Sequence, residues 1–375
     1  LAYPCFCSDQ TLKLARKAQL AAGRPPRYPG TCAGLSQQEV EVRLAQGLEP
    51  TLRFRVPGGE VIEFTDLVRG PQSFPAEDIG DFVIRRSDGS PAFFFSNAVD
   101  DALMGVTHVF RGEDHITNTP RQLMLLGALG LRVPQYAHIA LIVGADGGPL
   151  SKRHGAQSLR GLRAEGYLPL AIVNHLARLG HVYERNELMS LDELAADFEP
   201  ARLGKAPAHH DEAQLLHWQK EAVTRLDNAA FWTWLIEHDD ELSGALHTLV
   251  PEAQRDVFVH CVRENVVFPR DAQAWAASLF CDPLPLSAEA RSVVGEAGAG
   301  FFDQALDHLG DGTSDFRAYA KAVGAATGTK GKTLFMPLRA ALTGETHGPE
   351  MARMFALIGA ERARARLQAA QTLTR

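Results

Sequence analysis

The run Gly147-Gly148-Pro149-Leu150-Ser151-Lys152-Arg153-His154-Gly155 gathers a hydroxyl, two cations and an imidazole into one glycine-flanked stretch. Glycine frees the backbone to approach a ligand closely. An ammonium acts as a point charge and a guanidinium as a fork, so Lys152 and Arg153 suit an oxygen-rich anion such as phosphate. Ser151 could add a hydroxyl or simply hold the turn. A solvated basic loop has the same composition; what argues against it is a second tract upstream. From Thr107 to Gln122 a cation, Arg111, is followed by Glu113, Asp114 and His115.

These side chains need elements to hold them. Val106 to Phe110 reads as the end of a strand turned by Gly112, and Asn118 or Thr119 with Pro120 opens a helix that runs to Gly130. Ile139 to Val143 reads as a buried strand that feeds the basic loop. Strand, helix and strand make a βαβ unit, and such units bind ligands at the carboxyl ends of their strands. Arg111 and the basic loop stand at those ends.

A third constellation lies near the start. Cys5-x-Cys7 with Cys32 is a recognisable part of a zinc site, and zinc takes four ligands. No histidine precedes His108, which leaves Tyr28 as the best fourth ligand. Cys261 and Cys281 stand far off, and an odd total of five cysteines argues against a disulfide framework and for a reducing, cytoplasmic setting.

At the two polar tracts the sequence resembles bacterial glutamyl-tRNA synthetases, of class I. Leu-Ser-Lys-Arg-His-Gly-Ala (150–156) is similar to the family's form of the signature loop written KMSKS. Asn97-Ala98-Val99-Asp100-Asp101, Met104-Gly105-Val106-Thr107-His108-Val109 and Arg-Gly-Glu-Asp-His (111–115) resemble its glutamate-pocket region. The likeness continues through Glu165-Gly166-Tyr167-Leu168-Pro169 and Arg178-Leu179-Gly180. It reaches Thr327-Gly328-Thr329-Lys330-Gly331-Lys332 and Leu334-Phe335-Met336-Pro337-Leu338-Arg339.

The resemblance implies a two-step reaction. Glutamate attacks the α-phosphate of ATP, held as its Mg2+ complex, and the terminal ribose of tRNA then takes the acyl group. It implies Lys152 as the catalytic cation and Ser151, Lys152, Arg153, Asp114 and, through its backbone, Ile142 as ATP contacts. Arg111, Asn97 and Phe93 would hold glutamate, with Phe93 standing where the family often has tyrosine. Pro149 replaces a loop lysine common in the family. Arg339 would read an anticodon base, and a tyrosine spaced like Tyr28 serves as a zinc ligand in a tRNA-modifying relative. Asp100 and Asp101 read as turn or cap residues.

One departure stands out: no His-Ile-Gly-His-type motif occurs, and Leu1 corresponds to a point well inside the family's sequence. The expectation is therefore α/β plus all-α: a partial Rossmann-type catalytic domain lacking its first half, with an α+β insertion, then a stem-contact region and a helical anticodon-binding domain. The corresponding boundaries are 1–92 for the acceptor-binding insertion with the zinc site, 93–146 for the second catalytic half, 147–228 for the signature loop and stem-contact region, and 229–375 for the anticodon domain. On this expectation the chain alone would make no glutamyl-adenylate.

Inside those segments, Ser8 and the Ser36/Glu39 box open helices, and Leu52–Val56, Val61–Phe64 and Asp81–Ile84 read as strands. Pro57-Gly58-Gly59 turns the first of these toward the second, and Asp88-Gly89 reads as a hairpin turn returning into Ala92–Phe95. Leu170, Val173, Leu176 and Leu179 form one helical stripe, as do Phe316, Tyr319, Ala320 and Val323, and Met351, Met354, Phe355 and Ile358.

A chain of 375 residues supports roughly two to four domains. Its hydrophobic content of 45% and charged content of 22% suit a soluble globular protein, and no apolar run approaches a membrane span. A net charge of −7 gives no global attraction to nucleic acid, so tRNA contact needs local patches. Lys13, Arg16, Lys17, Arg24 and Arg27, with no acid among them from Lys13 to Arg27, make one. A monomer is expected, with tRNA(Glu), or tRNA(Gln) in a misacylating enzyme, as partner. A catalytically inert tRNA-binding piece is the rival reading. A tRNA-modifying paralogue is disfavoured by the long helical region.

Overall fold

The computed structural model describes residues 1–144, 147–148, 158–237, 240–310 and 315–375. It divides into one unit of residues 1–150, 177–185 and 195–210 and another of residues 151–176, 186–194 and 211–375.

The first unit opens with β1 (Ala2–Cys5), α1 (Asp9–Ala21), α2 (Gln37–Ala45), β2 (Thr51–Phe54), β3 (Val61–Asp66), β4 (Gly70–Pro75), α3 (Ala76–Ile79), β5 (Phe82–Arg85) and α4 (Phe93–Leu103). Ser8 caps α1 by accepting from the Thr11 amide, and Ser36 with Glu39 forms the expected capping box on α2. One antiparallel sheet has the order β1-β2-β5, while β3 and β4 form a separate ribbon. Pro57-Gly58-Gly59 therefore carries the chain from one sheet to the other and does not close a hairpin. Phe54, Ile79, Phe82, Ile84 and Leu125 form a core that Phe94 and Phe95 of α4 pack against. Each such buried side chain contributes about 1.5–3 kcal/mol.

The turn at Asp88-Gly89 forms, with the Arg86 amide donating to the Ser90 carbonyl at 2.8 Å. The expected return strand does not. A single bridge joins Arg85 to Pro91, because proline lacks the N–H a ladder needs, and from Phe93 the chain is helical. Phe94 still buries itself, edge-on to Phe82 at 6.0 Å.

Next come β6 (His108–Gly112), a 3-10 helix (Glu113–Asn118), α5 (Thr119–Leu129), β7 (Gln135–Ile139) and β8 (Ile142–Val143). β6 and β7 pair in parallel from His108↔Gln135 to Gly112↔Ile139, with α5 as the crossover. Pro120 sits in the first turn of α5, and Gly130 ends it at φ 64° in the left-handed region, so the βαβ unit forms as expected. The run read as one strand, Ile139 to Val143, is broken between β7 and β8.

The chain continues through α6 (Leu159–Glu165), α7 (Pro169–Gly180), α8 (Leu191–Ala196) and β9 (Ala208–His209), and β9 pairs in parallel with β8. α7 does not bury the expected leucine stripe: Leu176 is exposed, and the enclosed residues are Ala171, Asn174 and His175. Polarity is tolerated there because Asn174 accepts from the Met189 amide at 2.9 Å and donates to its carbonyl at 2.8 Å.

The second unit holds α6 and most of α7 and α8, and continues with α9 (Glu212–Arg225), α10 (Asn228–Ile236), α11 (Asp240–Leu249), α12 (Arg255–Val262), α13 (Pro269–Phe280), α14 (Ala288–Ala297), α15 (Ala299–Asp307), α16 (Phe316–Thr327), α17 (Lys332–Thr343), α18 (Met351–Ile358) and α19 (Ala360–Leu373). The stripes on α16 and α18 are buried as their spacing requires, with Tyr319 stacked on Phe355 at 5.1 Å. Arg366 of α19 is also enclosed. Its guanidinium donates to the carbonyls of Ser278, Cys281 and Leu342 and to the Asp282 carboxylate. It thereby satisfies acceptors near the ends of α13 and α17 that have no partner within their helices. Among the described residues, no helix is long and apolar enough to cross a membrane.

Candidate functional site

α4 and β6 border a hollow of about 380 Å³ lined by Phe93, Asn97, Asp101, His108, Arg111 and His115, among others. Phe93, Asn97 and Asp101 follow one another at helical spacing, so one face of α4 presents all three. Arg111 enters from β6, opposite His138 in the β6–β7 register. The three residues expected to hold glutamate are thus brought together.

Each has defined partners. Phe93 is about half exposed, its ring 5.9 Å from that of His115. Asn97 accepts from Gln122 Nε2 at 2.7 Å. Arg111 donates from Nε to His138 Nε2 at 3.0 Å and from Nη2 to Thr119 Oγ1 at 2.8 Å. Its guanidinium lies 5.1 Å from the centre of the Tyr136 ring. Nη1 makes no hydrogen bond among the described residues.

Asp101 lies in the last turn of α4, where its carbonyl accepts from the Val106 amide at 2.9 Å, and it also lines the hollow. Burial raises its carboxyl pKa, with Arg111 pulling it down and Asp100 pushing it up. The hollow therefore holds a cation and an acid, a pairing suited to a zwitterion.

The expected ATP contacts are placed unequally. Asp114 lies in the 3-10 helix after β6, with its side chain exposed. A Cβ on Gly112 would meet Asp114 Oδ1 at 2.5 Å, so a larger residue there would displace the exposed Asp114 carboxylate. Ile142 is in β8, whose ladder to β9 uses the Leu141 and Val143 carbonyls. Strand geometry turns the N–H and C=O of Ile142 the other way, where they have no partner among the described residues. Ser151, Lys152 and Arg153 lie outside the described residues. Just before them, Gly147 takes φ 75° and its amide donates to the Gly144 carbonyl at 3.0 Å.

The cysteine cluster assembles as its spacing suggests. Cys5 ends β1, and Cys7 and Cys32 close on it, with the three Sγ atoms all within 4.8 Å of one another. Cys7 and Cys32 Sγ are 3.7 Å apart, and Tyr28 Oη lies 3.4 Å from Cys5 Sγ and 3.6 Å from Cys7 Sγ. The Cys32 amide donates to Tyr28 Oη at 2.8 Å, and the Arg53 guanidinium covers the Tyr28 ring at 3.8 Å. Burial alone would raise the Cys5 thiol, but hydrogen bonds from Tyr28 and Arg53 outweigh it and bring it to about 7. Three sulfurs and a phenol oxygen at these separations fit one tetrahedral zinc. Cys261, enclosed in the helical core, is pushed up to about 12 by burial and belongs to packing.

Arg339 of α17 donates from Nη2 to the Pro349 carbonyl at 3.0 Å, while its Nη1 is enclosed with no partner among the described residues. The basic stretch from Lys13 lies on and just beyond α1, which buries none of its residues.

Sequence reasoning missed Asp66, Thr119 and His138, which converge behind Arg111. Asp66 and His138 are 72 positions apart, and no spacing rule connects them; only the meeting of β3 with β7 does.

Two families of known proteins match this chain. Residues 1–217 match the catalytic domain of class I tRNA synthetases (E and Q), and residues 252–371 match an anticodon binding domain. A glutamate–tRNA ligase 2 of Nitrosococcus oceani is 57% identical over 368 residues, 98% of this chain and 76% of that protein. A glutamate–tRNA ligase 1 of Methylococcus capsulatus is 53% identical over 98% of this chain and 77% of its own length. The crystal structure of a glutamate tRNA ligase from Elizabethkingia meningosepticum, in complex with its amino acid, has the same fold. It matches at a TM-score of 0.86 and 24% identity over 100% of this chain and 80% of that one.

The match from residue 1 to 217 overturns the expectation of a partial catalytic domain lacking its first half. That expectation rested on one absent motif and on where Leu1 falls along the family's sequence. The sheets, the βαβ unit, the hollow and the cysteine cluster all fall inside the matched catalytic domain. The class I catalytic domain is present, followed by the helical anticodon-binding region, and the chain belongs to the glutamate–tRNA ligases of the class I tRNA synthetase family.

Proposed function

We infer that this chain is a glutamate–tRNA ligase that joins glutamate to tRNA at the expense of ATP. The observation that carries the amino-acid site is Arg111, whose Nε and Nη2 are engaged while Nη1 is left for the hollow it lines. A guanidinium held in that way offers a carboxylate a directed donor. Asn97 and Phe93 shape the same hollow. Phe93 lacks the hydroxyl of a tyrosine, so it contributes shape alone.

In the first step a glutamate carboxylate oxygen attacks the α-phosphorus of Mg2+-bound ATP and pyrophosphate leaves. Such transfers need positioning and neutralisation of developing charge. Lys152 is proposed for that charge, with Ser151, Arg153, Asp114 and the Ile142 backbone holding ATP. In the second step the terminal ribose hydroxyl of tRNA attacks the acyl carbon and AMP leaves. Residues 1–92 are proposed to hold the acceptor end, residues 147–228 to carry the signature loop and touch the stem, and residues 229–375 to bind the anticodon, with Arg339 reading a base.

Zinc is proposed at Cys5, Cys7, Tyr28 and Cys32, where it would tie the end of β1 to the Tyr28–Cys32 turn. The free cysteines support a cytoplasmic setting. The enzyme is proposed to act as a monomer.

Charging purified tRNA(Glu) and tRNA(Gln) with labelled glutamate tests the function. Glutamyl-tRNA(Glu) is the expected product. Exclusive charging of tRNA(Gln) would make it the misacylating form, and charging of neither would overturn the reading.

A further inference from the structure

Arg111 is held by a buried chain of groups that begins on another sheet. His138 of β7 is fully enclosed, and Asp66 at the end of β3 nearly so. Asp66 Oδ1 accepts from the amides of Val68 at 2.9 Å and Arg69 at 2.8 Å, and both carboxylate oxygens lie within 3.2 Å of the His138 amide. Asp66 Oδ2 is 2.6 Å from His138 Nδ1. On the far side of the ring, His138 Nε2 is 3.0 Å from Arg111 Nε and 3.1 Å from Thr119 Oγ1.

Hydrogen-bond chemistry fixes the protons in this chain. Arginine Nε–H can only donate, so His138 Nε2 must present a lone pair. Nδ1 then carries the proton and donates it to the Asp66 carboxylate. Neutral His138 with its proton on Nδ1 is the one state that satisfies both contacts. Burial favours that neutral form, lowering the ring's pKa against the pull of Asp66.

We propose that Asp66 and His138 are positioning residues for substrate recognition: by fixing the His138 tautomer, Asp66 fixes the plane in which Arg111 presents its free nitrogen to the glutamate carboxylate. This rests on the assignment of Arg111 to that carboxylate. The guanidinium is gripped at Nε by His138, at Nη2 by Thr119 and across its face by Tyr136. It cannot turn without breaking a buried bond, and an unpaired buried polar group is costly. Neither Asp66 nor His138 lines the hollow, so they act through Arg111.

The charged and titratable groups around His138 are Asp66 on β3, Arg69 just after it, Arg111 on β6, His115 on the 3-10 helix and Tyr136 on β7 itself. Arg69 donates from Nε to the His138 carbonyl at 3.2 Å. Protonating His138 would place Nε2–H against Arg111 Nε–H, two donors facing each other. Acid should therefore loosen Arg111 before it affects ATP.

The test is aminoacylation by the full-length enzyme and its variants Asp66→Asn, His138→Gln, Arg111→Lys and Asp66→Asn/Arg111→Lys. An asparagine can donate to Nδ1 and so drive the proton to Nε2, as replacing a triad aspartate does in serine proteases. Asp66→Asn should raise the KM for glutamate about tenfold, the scale of one lost hydrogen bond to a charged group. Its kcat and KM for ATP should stay within about twofold. In the Arg111→Lys background the same change should add less than about twofold, since coupled residues are not additive. The wild-type KM for glutamate should climb as pH falls below the ordinary histidine range, since burial lowers the His138 ring, and that slope should flatten in His138→Gln. An unchanged KM in Asp66→Asn, or full additivity with Arg111→Lys, overturns the proposal. A silent Arg111→Lys would instead overturn the assignment of Arg111 itself. Should Asp66→Asn fail to fold by thermal melting, His138→Gln with its pH profile carries the same decision.

Discussion

Cys7 Sγ and Cys32 Sγ stand 3.7 Å apart, the separation of two sulfurs bound to one metal. A tetrahedron with metal–sulfur bonds of about 2.3 Å has edges of about 3.8 Å. The Tyr28 oxygen, at 3.4 and 3.6 Å from Cys5 and Cys7, completes the same figure.

Protein purified without chelator should therefore carry about one zinc per chain by elemental analysis, held by four ligands. A Cys5→Ser/Cys7→Ser variant should lose it. Zinc retained at the wild-type level in that variant would place the metal elsewhere.

Arg111→Lys keeps the charge and loses the fork. The KM for glutamate should rise by roughly 10-fold to 100-fold, since lysine can reproduce neither the His138–Thr119 grip nor a directed pair. Titrating glutamate at saturating ATP measures this, and a KM within twofold of wild type would remove Arg111 from the carboxylate.

Lys152→Ala tests the cation proposed for the transition state. Losing one preorganised donor costs about 100-fold or more in kcat, and the KM for glutamate should hardly move. A raised KM with an unchanged kcat would mean that Lys152 only binds ground-state substrate.

Stability of the first unit should fall with acid in a defined direction. Both Asp66 and His138 have folded pKa values below their ordinary ones: burial lowers His138, and for Asp66 the hydrogen bonds outweigh burial. A depressed group stabilises the fold above its unfolded pKa, and that stability is lost as pH falls through the folded value. The loss from His138 begins below about pH 6.5 and that from Asp66 below about pH 4. Melting temperatures measured from pH 7.5 down to 5 should fall less steeply for His138→Gln than for wild type. Equal slopes would show that His138 does not titrate in this window.

Arg339→Gln should alter discrimination among tRNA(Glu) anticodon variants by about tenfold, as expected when one base-edge contact is lost. It should leave ATP-dependent adenylate formation nearly intact. A uniform loss with every tRNA would mark Arg339 as structural, held on Pro349.

Much of this was legible along the chain because the signals are local. Ser8, the Ser36/Glu39 box, Pro120 and Gly130 act within one or two helical turns, and the Cys5-x-Cys7 spacing survives into three dimensions unchanged. Phe93 to Phe95 misled because three aromatics suit a strand as well as a helix. What decided between them was the missing N–H of Pro91, whose effect depends on the neighbouring strand. The leucines of α7 misled for another reason: the buried face is held by Asn174 through backbone bonds to Met189, a contact invisible to hydrophobic periodicity. Asp66 and His138 were beyond reach altogether. Each is an ordinary polar residue until two sheets bring them together.

Arg366 bears on how this acidic chain meets a polyanion. The formal charge of −7 counts that guanidinium as fully as any surface cation. Enclosed among the carbonyls of Ser278, Cys281 and Leu342 and matched by Asp282, it sends little field into solvent. Asp282 is counted as well, so the pair cancels in the net charge, and Arg366 adds nothing to the local patches a nucleic acid would meet. Encounter must depend on short-range cationic patches, so association should slow at low ionic strength if repulsion governs it and quicken if α1 does.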